Sequence, residues 1–112
     1  MVRIIAYIRP HKLEEVKTAL AERGVTGITV SEVRGCGSSP EPTDWFLGQE
    51  YVIALPPRLK LESVVADELA EGVIAAIIQS ARTGRQGDGK IFVLPELDVV
   101  RIRTGERGEA AL

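Results

Sequence analysis

The order of strand-type and helix-type segments constrains the fold of this chain more than any other feature. Residues 2–9 are rich in β-branched side chains and end at a proline, and residues 11–23 then carry apolar side chains at helical spacing. Residues 28–33 alternate as a second strand, and strand character returns at residues 50–55 and 58–65. The first part of the chain therefore predicts strand, helix and strand, followed after a long loop by further strand.

The remaining part of the chain predicts a second helix followed by strands. Asp67 is the predicted N-cap of this helix, because its carboxylate can accept hydrogen bonds from the first free N–H groups. Its predicted apolar stripe consists of Leu69, Val73, Ile74, Ile77 and Ile78. Residues 90–94 predict a strand, residues 98–103 a short further strand, and residues 105–112 a polar tail with little to bury.

This β-α-β-β-α-β order predicts an α+β fold, a ferredoxin-like sandwich with a long loop between its second and third strands. The length corresponds to a single domain, 1–112, with the long loop at 36–55 and a C-terminal tail at 104–112. Two helices cover one face of such a sheet and leave the other face uncovered. We therefore expect the chain to form oligomers through that open face.

A glycine-rich loop at residues 83–90, Thr-Gly-Arg-Gln-Gly-Asp-Gly-Lys, joins the second helix to the next strand. Its glycines allow positive φ angles and a close approach to a ligand, and successive N–H groups in such a turn can bind an anion. Lys90 adds a compact positive charge, and Arg101 and Arg103 lie on the same side of the strand predicted at 98–103. Two interpretations stay open here: a cradle for a triphosphate, and a solvated turn followed by a charged strand face.

The composition argues against several other classes of protein. The net charge of −2 and the few aromatic residues argue against a nucleic-acid-binding surface. No stretch is apolar enough to span a membrane and the strand pattern begins at once, so we expect a cytoplasmic protein without direct membrane insertion. Cys36 and His11 are single residues of their types, so neither a disulfide framework nor a zinc site is expected.

The long loop carries an apolar tip. Residues 35–44 are rich in glycine, proline and serine without periodicity, and Trp45, Phe46 and Leu47 follow them. A loop of this length in a compact domain is usually functional or disordered. The tip either folds back onto the domain or docks into a partner, and we favour docking, with Trp45, Phe46 and Leu47 as partner-binding residues.

Two longer motifs, at residues 81–95 and 101–108, contain the glycine-rich loop and the paired arginines. Together with residues 8–16 and 24–30, they resemble the PII family of nitrogen-regulatory signal transduction proteins, and the resemblance covers nearly the whole chain. It implies a homotrimer that binds ATP or ADP as effector ligands in clefts between subunits. It also implies that the long loop regulates a protein target, such as a membrane transporter, an enzyme or a regulator.

In the family's arrangement the phosphates lie between two subunits. The resemblance assigns them to Gly87, Asp88, Gly89 and Lys90 of one subunit and to Arg101 and Arg103 of the neighbour. Thr29, Glu62 and Val64 match positions around the adenine and ribose. Gly37 and Ser38 stand where the long loop begins to cover the phosphates.

The departures from the family lie in and beside the long loop. Ser39 stands where the family has the glutamine that helps to hold a magnesium ion through which 2-oxoglutarate binds. Arg58 replaces the lysine that pairs with the carboxylate of that ligand, and it stays a candidate binding residue. Pro40 restricts the movement of Ser39 toward such an ion, so we expect 2-oxoglutarate to bind weakly. We still expect magnesium to accompany ATP. Tyr51 stands at the position that many members modify, but its altered surroundings favour an unmodified side chain.

Two hypotheses about function come from different classes. The first is a non-enzymatic sensor whose long loop reports ATP, ADP and a small metabolite to its partner. The second is a slow ATPase or phosphotransferase that uses the same nucleotide site. Phosphoryl transfer needs a positioned nucleophile and metal-holding carboxylates, and Asp88 is the only acid within the glycine-rich loop. We therefore assign no catalytic residue and prefer the sensor.

Overall fold

The computed structural model describes residues 1–37, 43–52 and 55–112. The strands are β1 (Val2–Ile8), β2 (Thr29–Arg34), β3 (Thr43–Phe46), β4 (Gln49–Val52), β5 (Pro57–Val65) and β6 (Ile91–Pro95). The helices are α1 (Leu13–Glu22) and α2 (Asp67–Ala81), and short 3₁₀ helices lie at Pro10–Lys12 and Gly108–Ala111. A proline at the start of the first 3₁₀ helix ends β1 and leads directly into α1.

A four-stranded antiparallel sheet joins these elements in the order β2-β5-β1-β6. The central strand β1 pairs with β5 from Val2↔Val65 to Ile8↔Leu59, and its other edge pairs with β6. The predicted α+β class is confirmed, and the sheet with its two helices is consistent with the ferredoxin-like sandwich.

The core lies between the sheet and the two helices. Alternation along β1 buries Ile4, Ala6 and Ile8 toward the helices, because successive strand side chains point to opposite faces. The helix α1 contributes Val16 and Leu20 to the same core. The further buried residues are Leu59, Leu61, Val65, Ala70, Val73, Ile77 and Ala81. Each large aliphatic side chain buried in this way contributes about 1.5–3 kcal/mol.

The opposite face of the sheet carries an ionic network beside apolar side chains. Arg3 lies at the centre of the network, with its Nη1 2.8 Å from Glu62 Oε2 and its Nε 2.9 Å from Glu96 Oε2. In β6, Phe92 pairs with Ile5 of β1 and Leu94 pairs with Arg3 of β1. Phe92 and Leu94 both keep much of their surface exposed. This face therefore retains apolar surface, and oligomer formation through it stays a prediction.

The predicted N-cap of α2 is wrong. The N-cap position is Ala66, which has extended φ and ψ, and Asp67 is the first helical residue. The Asp67 carboxylate lies 3.0 Å from the amino nitrogen of Met1. Asp67 therefore forms an ion pair at the start of the helix and does not cap it with its side chain.

The buried side of α2 is also rotated relative to the predicted stripe. Leu69 and Ile78 keep 41% and 39% of their surface exposed, whereas Ala70, Ala76 and Ala81 are buried. Hydrophobicity alone favoured the larger side chains as the buried set. The observed contact side of α2 instead uses short alanine side chains, which permit a helix to approach its neighbours closely.

The segment predicted as a strand at residues 98–103 is not a strand. It contains one isolated bridge, Val100↔Arg107, and the chain then turns. Gly105 has a φ of +73°, and its N–H donates to the carbonyl oxygen of Arg101 at 2.7 Å. A local hydrogen bond therefore replaces the strand ladder that alternation in the sequence had indicated.

This turn removes the strand geometry from which a common side for Arg101 and Arg103 was predicted. The guanidinium of Arg101 donates to Glu106 Oε1 at 3.1 Å and to the carbonyl oxygen of Leu112 at 3.1 Å, and Arg103 is exposed. The segment predicted as a polar tail at 105–112 contains the 3₁₀ helix Gly108–Ala111 and takes part in these contacts.

The long loop contains a β-hairpin that its breaker-rich sequence did not predict. β3 and β4 pair from Thr43↔Val52 to Phe46↔Gln49. β4 confirms the first part of the strand predicted at 50–55, and residues 53 and 54 lie outside the described part of the chain. Leu47 and Gly48 form a two-residue turn with φ angles of 51° and 78°. Positive φ at both central residues is typical of type I′ hairpin turns.

Gly72 lies inside α2 and offers a test of the packing. A Cβ at this position would meet Nη1 of Arg23 at 3.4 Å, which is an ordinary contact with the end of a flexible side chain. Glycine in a helix interior costs about 0.5–1 kcal/mol relative to alanine. We expect Gly72→Ala to raise the free energy of unfolding by about this amount, measured by urea denaturation.

The matched control is Gly24→Ala. Gly24 has open space around its Cβ position but a φ of +80°, so alanine is strained there and should lower the free energy of unfolding. A Gly72→Ala variant that is less stable than the parent would contradict the described packing of α2 against Arg23.

Candidate functional site

A basic cleft of about 910 Å³ lies between the glycine-rich loop and the base of the long loop. The ends of β1 and β2 meet the starts of β5 and β6 here, because neighbouring strands of the sheet are antiparallel. Of the sequence-predicted site residues, the cleft brings together Gly37, Arg58, Gly87, Asp88, Gly89 and Lys90.

The glycine-rich loop lies directly against the backbone of β1. The N–H of Tyr7 donates to the carbonyl oxygen of Lys90 at 3.0 Å, so the end of the loop continues the pairing of β1 with β6. Gly89 has a φ of +106°, and a Cβ on it would lie 1.7 Å from the carbonyl oxygen of Tyr7. Only glycine fits this position, because any side chain would overlap the strand.

Two guanidinium groups converge at Gly87. A Cβ on this residue, which has a φ of +95°, would lie 3.2 Å from Nη2 of Arg58 and 3.2 Å from Nη2 of Arg9. Guanidinium forks bind carboxylate and phosphate oxygens bidentately. This wall of the cleft therefore combines a glycine backbone with two positive charges, which suits an anionic group. Nε and Nη2 of Arg9 already donate to Asp88 and to the carbonyl oxygen of Gln86, so Arg58 has the freer fork.

The Asp88 carboxylate is engaged within the loop. One oxygen accepts hydrogen bonds from the Thr83 hydroxyl and from Arg9 Nε at 3.1 Å, and the other accepts from the N–H groups of Thr83 and Gly84, both at 2.9 Å. Burial raises the pKa of this carboxyl, but the hydrogen bonds from Thr83, Arg9 and Gly84 outweigh it and hold the pKa well below its usual range. Asp88 therefore lines the cleft as a carboxylate whose oxygens are bound within the chain, to the loop and to Arg9.

Positive charge dominates the lining of the cleft. Its cationic residues are Arg9, Arg34, Arg58, Arg85 and Lys90, and the acidic residue among the described lining is Asp88, which is paired with Arg9. Positive charge concentrated in a cleft attracts anions and raises their local concentration. The cleft can therefore bind a multiply charged anion.

Tyr7 and Phe92 form an aromatic part of the same cleft. Their ring centroids lie 6.0 Å apart with an interplanar angle of 89°, an edge-to-face contact. Tyr7 alternates with the buried Ala6 and Ile8 of β1, so its ring lies on the open face of the sheet, at the end that meets the cleft.

Several predicted site residues do not line this cleft. Thr29 pairs with Glu62 across β2 and β5, and Val64 pairs with Arg3, so these three residues lie along the sheet away from the loop. Glu62 is held by ion pairs with Arg3 and with Lys60, whose Nζ is 3.1 Å from it. The turn that carries Arg101 and Arg103 also lies outside the cleft, and Ser38 lies outside the described residues.

Sequence reasoning gave no binding role to several polar residues that line the cleft, among them Arg9, Arg34, Cys36, Arg85 and Gln86. Arg9 directly follows β1, and Arg34 is the last residue of β2. The signal that could have found both is the antiparallel pairing, which places strand ends beside strand starts. Arg85 lay within the quoted loop motif but was given no role.

The predicted partner-binding residues belong to the hairpin. Trp45 and Phe46 are in β3, and Leu47 forms the turn with 88% of its surface exposed. Tyr51 lies in β4 and pairs with Asp44. The described backbone therefore places an apolar residue at the end of a two-stranded projection.

Neither a metal cluster nor a membrane span is present in the described part of the chain. Across residues 1–37, 43–52 and 55–112, no group of three histidine, cysteine or acidic residues could hold a metal ion. In the same ranges, no helix is long and apolar enough to cross a membrane.

Comparison with known proteins identifies the relatives of this chain. Residues 1–106 match the family described as Nitrogen regulatory protein P-II. The chain belongs to the P-II family. Proteins named Nitrogen regulatory protein P-II from Azospirillum brasilense and Rhizobium meliloti (strain 1021) are 53% identical to it over 112 residues, which cover all of both chains. Nitrogen regulatory protein P-II 1 from Escherichia coli (strain K12) is 46% identical over the same length. The resemblance to this family inferred from the sequence is confirmed.

The close approach of Gly89 to Tyr7 predicts a strong effect of substitution in this P-II protein. Alanine at position 89 would overlap the strand, so we expect Gly89→Ala to displace the loop and to destabilise the protein by several-fold more than the roughly 1 kcal/mol of a single unfavourable φ angle. Gly84→Ala is the matched control, because Gly84 has a φ of +87° but open space around its Cβ position. Equal losses of unfolding free energy in the two variants would contradict the described contact.

The depressed pKa of Asp88 predicts how stability depends on pH. An unfolded aspartate has a pKa of about 3.9, and the folded pKa is lower, so the stabilisation is present above the unfolded value and is lost as the pH falls through the folded value. We expect the free energy of unfolding to fall with acidification below about pH 4–5, and to fall less in Asp88→Asn. Urea denaturation across this range measures the slope. An equal slope in the parent and in Asp88→Asn would contradict the described hydrogen bonds of Asp88.

Proposed function

We propose that this chain is a non-enzymatic signal transducer in nitrogen regulation that binds ATP or ADP through its basic cleft and regulates a partner protein through the hairpin of its long loop. The observation that carries the proposal is the position of the glycine-rich loop, which forms one wall of a cleft whose other wall is the base of the long loop. The names of the relatives support the role in nitrogen regulation.

The chemistry of the cleft supports a phosphate ligand. The N–H groups of a glycine-rich turn can point together at an anion, and Lys90 supplies a compact charge at the end of the turn. Arg9 and Arg58 converge on Gly87 from the other strands. A chain of phosphates offers several oxygens to such donors, whereas a single carboxylate offers two.

The connection between the cleft and the long loop supports a regulatory role. The N–H of Gly35 donates to the carbonyl oxygen of Pro56 at 3.2 Å, and Arg34 Nη1 donates to the carbonyl oxygen of Leu55 at 3.1 Å. These bonds close the base of the long loop at the point where Gly37 lines the cleft. A ligand that contacts this base changes the free energy of loop conformations according to its different contacts with each of them.

We propose a homotrimer in which each nucleotide lies between two subunits. Thr29, Val64, Arg101 and Arg103 belong to the predicted set but do not line the cleft of their own chain, so a neighbouring copy is a natural source of the missing contacts. The exposed apolar surface of Phe92 and Leu94 on the open sheet face supports association of copies there.

The alternative of an ATPase or phosphotransferase is less well supported. Asp88 is the acidic residue of the cleft lining, and its two oxygens already accept four hydrogen bonds. It is therefore poorly placed to hold a metal ion or to accept a proton from a nucleophile. The relatives are named as regulatory proteins.

We further propose that 2-oxoglutarate binds weakly, because serine replaces glutamine at position 39, a residue outside the described part of the chain. Magnesium demands near-ideal octahedral geometry, and a serine hydroxyl has a shorter reach than a glutamine side chain.

Removal of Lys90 tests the nucleotide site. We expect Lys90→Ala to weaken binding of ATP and ADP by about 1.5–3 kcal/mol, the range for a hydrogen bond to a charged group, measured by isothermal titration calorimetry. Lys17→Ala on α1 is the control, because Lys17 pairs with Glu14 away from the cleft. Parental affinity in Lys90→Ala would contradict the site.

The weak binding proposed for 2-oxoglutarate is tested by titrating this ligand into the parent protein in the presence of magnesium and ATP. Micromolar binding of 2-oxoglutarate would contradict the proposal.

Light scattering tests the proposed assembly. We expect the parent protein to have the mass of a trimer. Because Arg103 does not line the cleft of its own chain, we also expect Arg103→Ala to weaken ATP binding, measured by calorimetry, through the neighbouring subunit. Arg107→Ala serves as the control, since Arg107 pairs with Asp98 at 2.7 Å in the same segment. A monomer that binds ATP tightly would refute the shared site.

A further inference from the structure

The Asp88 carboxylate lies among four hydrogen-bond donors of its own chain. Oδ1 accepts from Arg9 Nε at 3.1 Å and from the Thr83 hydroxyl at 2.5 Å. Oδ2 accepts from the N–H of Thr83 and the N–H of Gly84, both at 2.9 Å. An ionised carboxylate offers about four acceptor positions, so these bonds use its capacity.

These bonds connect three elements of the fold. Thr83 and Gly84 lie two and three residues after the end of α2, Asp88 lies near the far end of the loop, and Arg9 follows β1. Arg9 also donates from Nη2 to the carbonyl oxygen of Gln86 at 2.8 Å, which holds the middle of the loop. We name the group Arg9, Thr83 and Asp88 the latch, because it closes the loop on itself and on the sheet.

We propose that Asp88 and Thr83 are positioning residues, which hold the N–H groups of residues 87–90 for the phosphates without contacting the ligand themselves. The inference rests on the proposed nucleotide site and assigns to Asp88 a role different from the one that the family resemblance implies. Charge supports it, because an unpaired carboxylate beside a triphosphate would repel the ligand, whereas Asp88 is paired with Arg9.

Variants of Thr83 can distinguish a positioning role from direct contact with the ligand. Thr83 does not line the cleft, yet its hydroxyl and its N–H both donate to Asp88. Its hydroxyl oxygen also accepts from the N–H of Arg85 at 3.2 Å. Thr83→Val removes the hydroxyl at nearly constant volume, and Thr83→Ser retains it.

The test measures the affinity for ATP of the full chain by calorimetry, in magnesium and again in EDTA. We expect Asp88→Asn to weaken binding about tenfold or more and Thr83→Val to weaken it several-fold, while Thr83→Ser keeps the parental affinity. The loss should persist in EDTA. The double variant Asp88→Asn, Thr83→Val should bind about as weakly as Asp88→Asn alone, because both changes break one network.

Other outcomes overturn the proposal. Tighter binding by Asp88→Asn would mean that Asp88 faces the phosphates as an unpaired charge. A loss confined to magnesium would make Asp88 a metal ligand. Parental affinity in Thr83→Val, or additive losses in the double variant, would show that Asp88 acts independently of Thr83.

Amide hydrogen exchange of the protein without nucleotide tests the latch independently of nucleotide binding. The N–H of Gly84 should be protected in the parent and in Thr83→Ser, and should exchange much faster in Asp88→Asn. If the parent binds no ATP, the proposed function fails, and protection of Gly84 still supports the latch. Unprotected exchange of Gly84 in the parent overturns the latch, whatever the affinity for ATP.

Discussion

The contact between Gly89 and the carbonyl oxygen of Tyr7 is the constraint on which the cleft depends. At this point the loop that follows α2 lies against the central strand with no space for a side chain. The hydrogen bond from Tyr7 to Lys90 then brings the chain into register as β6. One approach of two backbone segments therefore sets both the edge strand of the sheet and the wall of the site.

The elements that could be predicted from the sequence are those with a local signal. β1, α1, β2, β5 and α2 have clear periodicity, and their predicted bounds differ from the observed ones by one or two residues. The binding role that the family resemblance implies for Gly87, Gly89 and Lys90 stays a prediction, and all three residues line the cleft. Local patterns suffice here, because the same residues that form each element also carry its signal.

The features that could not be predicted depend on contacts between distant residues. Arg9 lies at the cleft because its strand end meets the loop 77 and 79 positions further along the chain. The hydrogen bonds of Asp88 could not be predicted either, because Thr83 and Arg9 meet its carboxylate only in the folded chain. The alternation at 98–103 resembled a strand, but the turn at Gly105 closes it with a local hydrogen bond.

The structural ordering of the glycine-rich loop affects the heat capacity, the entropy and the rate of ligand binding. Since the hydrogen bonds of Asp88 and Arg9 that hold the loop lie within the chain itself, the loop does not need a ligand to become ordered. Coupled folding and binding has a large negative heat-capacity change, and this wall of the cleft should add little to it. The entropy lost when this wall becomes ordered is then lost on folding and not on binding, so ordering of the loop should not slow association.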